Sequence, residues 1–262
     1  MEFEEFFDEI DGRCRSLVVI NRTAPRPFQR MLENAFDGQP VSVAERDIPE
    51  RADDTVALVA ERESEREVVA TSPLDTLAET ILLVNSDLYM SGAAGLEEFE
   101  LPDVLEHLDE VPFRLRGYPE SNTEKLLLIV ISRYIERRAW QAGDGTLRTS
   151  FQRLSRMEDE RGTRAVYETI GDSEVQTHVY GLPDWQPPPE LGAVSHGGHT
   201  EPFRRSWFVV YTPPGDGSLD LDLEDPHVAL LALEVQPREW KGFWTFRTSL
   251  VERLDGYIAE NL

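Results

Sequence analysis

Val175-Gln176-Thr177-His178-Val179-Tyr180 sets Val175, Thr177 and Val179 on one side of an extended chain and Gln176, His178 and Tyr180 on the other, because successive side chains of a strand point to opposite faces. The apolar runs at 206–211, 228–235 and 242–246 read as further strands, and Leu147, Thr149 and Phe151 alternate in the same way. Helical patterns lie around them. Ser121-Asn122-Thr123-Glu124 is a capping box that opens the longest helix, running to about Gln141. Its first half is apolar on all sides, which places it inside a core, and Gly143-Asp144-Gly145 ends it. A second helix turns Val166, Tyr167 and Ile170 inward and stops at Gly171. Ser249-Leu250-Val251-Glu252 caps a third, with Leu254, Tyr257 and Ile258 continuing its apolar face. The Pro-rich residues 183–202 and the acidic residues 213–226 read as long loops. The second half is therefore α+β, with a largely antiparallel sheet and packed helices.

The first half has a different rhythm. Phe3, Phe6, Phe7 and Ile10 form one face of a short helix closed by Gly12. Residues 16–20 read as a buried strand, Phe28, Met31, Leu32 and Phe36 as a helix stopped by Gly38, and 41–44, 55–60 and 67–71 as strands. This is a small β-α-β-β-β unit. Ser72-Pro73-Leu74-Asp75 predicts a helix start, with serine as cap and proline in the first turn, and Leu74, Leu77, Ala78, Ile81 and Asn85 line one face of that helix. Residues 91–120 are broken by glycines and prolines, so they predict loops, short helices and a boundary. Residues 1–115 are expected to form an N-terminal α/β extension and 121–262 the second part.

Composition narrows the setting. The chain has 262 residues, 40% of them hydrophobic, enough for a sizeable core. Asp and Glu total 50 against 26 Lys and Arg, a formal net charge of -24, and only Lys125 and Lys241 are lysine. A strongly acidic, lysine-poor surface predicts a salt-adapted, halophilic protein of the haloarchaeal kind. At about 1 M salt the Debye length is about 3 Å, so self-repulsion is screened while solubility is kept. The charge argues against nucleic acid as a partner, since phosphates demand Lys and Arg, and against anionic membranes. Cys14 is the single cysteine, which excludes an internal disulfide or a CxxC site. The N-terminus is acidic and unlike a secretion signal, and no apolar run approaches the roughly 20 residues of a spanning helix. The expected location is the cytoplasm.

Three groups of residues carry candidate chemistry. Four of the five tryptophans, Trp185, Trp207, Trp240 and Trp244, fall in the last third of the chain. They read as core filling or as the lining of a ligand pocket, with Trp185 the better pocket candidate because Gly181-Leu182-Pro183-Asp184-Trp185 is a turn after a strand. Residues 133–164 hold eight arginines, a local excess of positive charge. The plainer reading is ion pairing between neighbouring helices; the other is an anion or nucleotide site, or an acidic partner's footprint. His196-Gly197-Gly198-His199 reads as an exposed loop rather than a metal site. Asp220, Asp222, Glu224 and Asp225 lack the glycine and closing glutamate of a calcium loop. Phosphate-binding loops and nucleophile elbows are absent. A hydrolase or transferase using His178, Asp184 and His196 would need those groups to converge within hydrogen-bond reach, roughly 3 Å.

The ordered pieces Ser132-Arg133-Tyr134-Ile135-Glu136-Arg137-Arg138, Ser150-Phe151-Gln152-Arg153-Leu154-Ser155, Arg164 with Tyr167, and His178-Val179-Tyr180-Gly181 are followed by Ser206-Trp207-Phe208-Val209-Val210, Ala229-Leu230-Leu231-Ala232 and Gly242-Phe243-Trp244-Thr245-Phe246. Together they resemble the DICT sensory domain over residues 125–262. The resemblance implies a sensory module of intracellular signal transduction, in a family found joined to diguanylate cyclases and two-component kinases. It supplies no catalytic residues to carry over. With no kinase or cyclase motif in the chain, it implies a non-catalytic protein acting through a separate signalling partner (a kinase, cyclase or regulator) and responding to a small-molecule signal of unknown identity. The expected ligand-binding residues are Arg153, Tyr180, Asp184, Trp185, Trp207 and Trp244. An adaptor without a small ligand is the alternative.

Overall fold

The computed structural model describes residues 2–10, 12, 14–62, 65–85, 96, 100–116, 126–159, 161–215 and 226–262. Its strands are β1 (Arg15–Ile20), β2 (Val41–Arg46), β3 (Thr55–Arg62), β4 (Glu65–Pro73), β5 (Phe113–Arg116), β6 (Thr146–Arg153), β7 (Gln176–Leu182), β8 (Ala193–Gly197), β9 (Ser206–Thr212), β10 (Val228–Gln236) and β11 (Glu239–Thr245). Its helices are α1 (Phe3–Asp8), α2 (Arg26–Ala35), α3 (Leu74–Asn85), α4 (Asp103–Glu106), α5 (Leu126–Ala142), α6 (Arg156–Asp159), α7 (Arg161–Gly171), α8 (Glu201–Arg205) and α9 (Thr248–Asn261).

The strands form two sheets. The smaller has the order β2-β1-β3-β4, with β1 parallel to β2 and antiparallel to β3. This is the predicted β-α-β-β-β unit. Leu17, Val19, Val56 and Leu58 face a core shared with Leu32 of α2 and Leu77 of α3. The larger sheet has seven strands in the order β5-β11-β10-β9-β6-β7-β8. Pairing is antiparallel from β5 through β6 and parallel from β6 to β8. The fold is α+β with mostly antiparallel strands, as the sequence predicts.

Both faces of the larger sheet are covered. On one face Leu147, Val179, Val209, Leu230 and Trp244 meet Leu128, Ile131 and Ile135 of α5 and Tyr167 of α7. On the other, Tyr180, Phe208, Leu231 and Phe243 meet Phe3 and Phe6 of α1, Phe203 of α8 and Ile258 of α9. Burial on two sides explains why Val228 through Leu233 is an unbroken buried run rather than an alternating one. The first core continues into the smaller sheet, so Leu17 and Leu58 belong to the same apolar cluster as Ile131 and Trp244. No described helix is long and apolar enough to cross a membrane.

Several local expectations are corrected. Pro73 ends β4 instead of starting a helix, and the buried Ser72 hydroxyl accepts the Val104 N–H at 3.2 Å. Helix α9 begins at Thr248, which leaves Ser249 inside it and Arg247 as its cap. Residues 183–202 are not one long loop: they contain a 3-10 turn (Pro189–Leu191), β8 and the start of α8. His196 is therefore a half-buried strand residue. Strand β5 lies in a segment where only loops and short helices are expected. The capping box at 121–124, the acidic residues Asp220, Asp222, Glu224 and Asp225, and the side chains of Ile81 and Asn85 lie outside the described residues.

Candidate functional site

The end of β6 is where the larger sheet departs from regularity. Ser150 pairs with Tyr180 but Arg153 pairs with Leu182, so β6 spends three steps where β7 spends two. Such a bulge bends a strand and re-aims its side chains. Gln152 takes up the distortion at φ +54°, a left-handed conformation that non-glycine residues seldom adopt. Its buried side chain is held at both ends. Nε2–H donates to the Ser206 carbonyl at 2.9 Å, and Oε1 accepts from the Arg156 guanidinium. Ser150 reinforces the corner: its hydroxyl donates to the same carbonyl and accepts the Phe208 N–H, each at 3.0 Å.

Beyond the bulge the chain is tied to the end of β7. Asp184 Oδ1 accepts the Ser155 N–H at 3.1 Å, while Oδ2 accepts the Ser155 hydroxyl at 3.0 Å and Arg153 Nη1–H at 3.3 Å. Partial burial pushes the Asp184 carboxyl upward, but the bonds from Ser155 and Arg153 outweigh it and leave the pKa below the usual carboxylate range. The Leu154 N–H adds a bond to the Leu182 carbonyl at 3.1 Å.

These residues border a solvent-open hollow of about 440 Å³. Arg153, Arg156, Arg204 and Arg238 stand around it with one carboxylate, Glu234, while Leu182 and Trp240 supply apolar wall. The carboxyl ends of β6, β7 and β10 converge here with the start of β9. Pockets of about 300–1,000 Å³ are typical of small-ligand sites, and strand carboxyl ends are a recurrent place for them in sheets with parallel strands.

The six residues predicted from sequence occupy three settings. Arg153 lines the hollow, Asp184 fastens it, and Trp185 packs half-buried against the main core just beyond Asp184. Trp244 fills the core, its ring 5.8 Å from that of Phe113, and the half-buried Trp207 packs against that core, its indole N–H donating to Ser132 Oγ at 3.2 Å. Tyr180 faces the opposite side of the sheet. Its hydroxyl accepts from Arg148 Nη1 at 3.0 Å, its ring stacks on His196 at 4.4 Å, and His196 Nε2 lies 2.9 Å from His178 Nδ1. Asp184 is thus bound to Ser155 and Arg153, while His178 and His196 pair with each other. Five of the eight arginines form ion pairs within the chain: Arg133 with Glu136, Arg138 with Glu106, Arg148 with Asp255, Arg153 with Asp184 and Arg164 with Glu168; of these, Arg138 with Glu106 joins two helices, as the plainer reading expects.

Gln152, Arg156, Arg204, Arg238 and Trp240 were not among the expected site residues. Gln152 stands inside the quoted Ser150–Ser155 piece, but a bulge leaves no mark on composition. Arg238 could have been found, because Pro237 signals a turn between two strands and sets Arg238 at their shared end.

Residues 103–219 match the family model of DICT, described as a sensory domain in diguanylate cyclases and two-component systems. No curated protein and no solved structure matches the chain. The matched span contains the bulge, Asp184 and Arg204, while Glu234, Arg238 and Trp240 follow it. Over residues 103–219, therefore, this chain is similar to the DICT sensory domain.

Proposed function

We propose that this protein is a non-catalytic sensor of an intracellular signalling pathway that binds a small-molecule signal in the hollow at the end of β6 and acts through a separate kinase, cyclase or regulator. The observation that carries this reading is the strained Gln152 bulge, which lies within the DICT match and opens directly onto the hollow. Backbone strain persists only where surrounding structure enforces it, and it concentrates at ligand clamps and switches. The same corner offers a relay. Arg153 is shared between the hollow and Asp184, so a ligand that recruits its guanidinium competes with the tie between β6 and the turn after β7. The cytoplasm is the compartment this role implies.

Native mass spectrometry of the purified full chain, paired with hydrogen exchange at residues 150–156 and 182–185, tests the reading. The expected result is a small-molecule adduct whose removal changes exchange at both segments. A chain that binds no small molecule but captures a signalling protein would favour the adaptor instead.

A further inference from the structure

We infer that the hollow takes a phosphorylated small molecule, its phosphate oxygens gripped by arginines and its organic portion seated against Leu182 and Trp240. This rests on reading the hollow as the signal site and adds the chemistry of the signal.

Charge is the first argument. Four guanidiniums line the hollow together with the Glu234 carboxylate, Arg153 being also paired with Asp184, in a chain whose formal charge is -24. The carboxylate is already engaged: Glu234 Oε1 accepts the Arg238 N–H at 3.0 Å, and Oε2 lies 3.8 Å from Arg205 Nε. Arg204 forms no ion pair among the described residues. In a chain with so little lysine, arginine, whose planar fork matches phosphate oxygens, is the available donor for an anion here.

Geometry is the second. Five described non-glycine residues have positive φ, and two of them, Gln152 at +54° and Arg238 at +66°, line this hollow. Gln152 uses its strained position to bond Arg156, and Asp184 orients Arg153. Both arginines are therefore positioned before a ligand arrives, which lowers the ordering cost of binding. Donors spread around a hollow of about 440 Å³ suit an anion with several separated oxygens better than a single halide ion.

Isothermal titration of the full chain at constant ionic strength tests the inference, using adenosine diphosphate, pyrophosphate, inorganic phosphate and adenosine as probes. The diphosphate is expected to bind about tenfold or more tighter than inorganic phosphate, and adenosine not at all. Arg204→Gln and Arg238→Gln should each weaken diphosphate binding about tenfold or more, the loss of one charge-assisted hydrogen bond. Both residues are exposed, so the variants should melt like the parent, and Arg30→Gln on α2 should bind like it. Diphosphate binding indifferent to Arg204 and Arg238 would overturn the inference. So would an uncharged native ligand whose binding depends on Trp240, although the sensory reading would then stand. A chain that binds neither the probes nor any ligand recovered by native mass spectrometry would remove both.

Discussion

At the scale of single residues, the most exacting feature is a charge pair inside the core. Arg133 and Glu136 are 9% and 3% exposed. Arg133 Nη1 lies 2.5 Å from Glu136 Oε2, and Nη2 donates to Thr163 Oγ1 at 2.9 Å. Tyr167 donates to Glu136 Oε1 at 2.9 Å and accepts from the Thr149 hydroxyl at 2.8 Å. Burial first, then the Glu136 charge, drives the Tyr167 pKa well above its ordinary value, so the phenol stays a donor. Removing one member strands the other's charge, which costs about 3–5 kcal/mol. Arg133→Met should therefore lower the melting temperature by roughly 10 °C. Adding Glu136→Gln, which removes the charge but keeps an acceptor for Tyr167, should restore more than half of the loss. Thermal unfolding of the single and double variants reads both outcomes. The spacing of Arg133 and Glu136 in the sequence suits an exposed helix pair equally well, so their burial was not legible there.

The histidine pair makes a pH prediction at the same scale. Desolvation, then Arg148 and His196, hold the His178 pKa below 6.5, while Asp255 pulls it partly back. Desolvation and Arg148 likewise lower His196. A histidine depressed in the folded state contributes stability that is fully present above the unfolded pKa and is lost as pH falls through it toward the folded value. Melting temperature should therefore be level above neutrality and begin to fall below about pH 6.5, before the carboxylates titrate. In His196→Gln that first decline should shrink, as a melting series across pH would show. An unchanged profile would deny the pair its role. The alternation of 175–180 already set His178 and Tyr180 on one face, but His196 was read into a loop, so the sequence did not bring the two histidines together.

At the scale of elements, strand and helix patterns were legible wherever an element buries a continuous face. The two missed strands, β5 and β8, are the two edges of the seven-stranded sheet. An edge strand pairs on one side only and needs few apolar residues; β8 reads Ala-Val-Ser-His-Gly with no fully buried side chain. The connection from α5 to β6 shows the opposite case, where Gly143-Asp144-Gly145 declared itself. Gly143 and Gly145 have φ of +71° and +103°. A Cβ on Gly143 would meet nothing within 4 Å, whereas one on Gly145 would lie 2.5 Å from the Thr212 carbonyl oxygen of β9. Gly143→Ala should thus cost about 1 kcal/mol, the backbone preference alone. Gly145→Ala adds a collision with backbone that cannot swing aside and should cost about 3 kcal/mol or more. Urea denaturation of the two variants gives the comparison, and equal losses would mean that β9 does not hold the turn as closely as the structure shows.

At the scale of the molecule, composition and architecture act together. The matched residues 103–219 end before β10 and β11, yet β10 lies between β9 and β11 in the sheet, and α1 and α9 cover its second face. Central strands therefore come from chain beyond the match, and one apolar cluster joins both sheets. A fold assembled from such distant segments must hold together against the repulsion of a formal charge of -24. That repulsion is long-ranged, acting over about 10 Å at 0.1 M salt and about 3 Å at 1 M, whereas pairs such as Arg133 and Glu136 are shielded by burial and respond little. Raising salt should consequently stabilise the protein, because it weakens more repulsion at the surface than attraction in the interior. The melting temperature is expected to climb steadily between these concentrations, by the same amount in potassium chloride and in choline chloride if screening is the cause. A rise confined to potassium would point to bound cations on the acidic surface. A fall would mean that exposed pairs such as Arg253 with Glu9 and Arg164 with Glu168 outweigh the net charge, and that the acidic composition does not mark adaptation to salt.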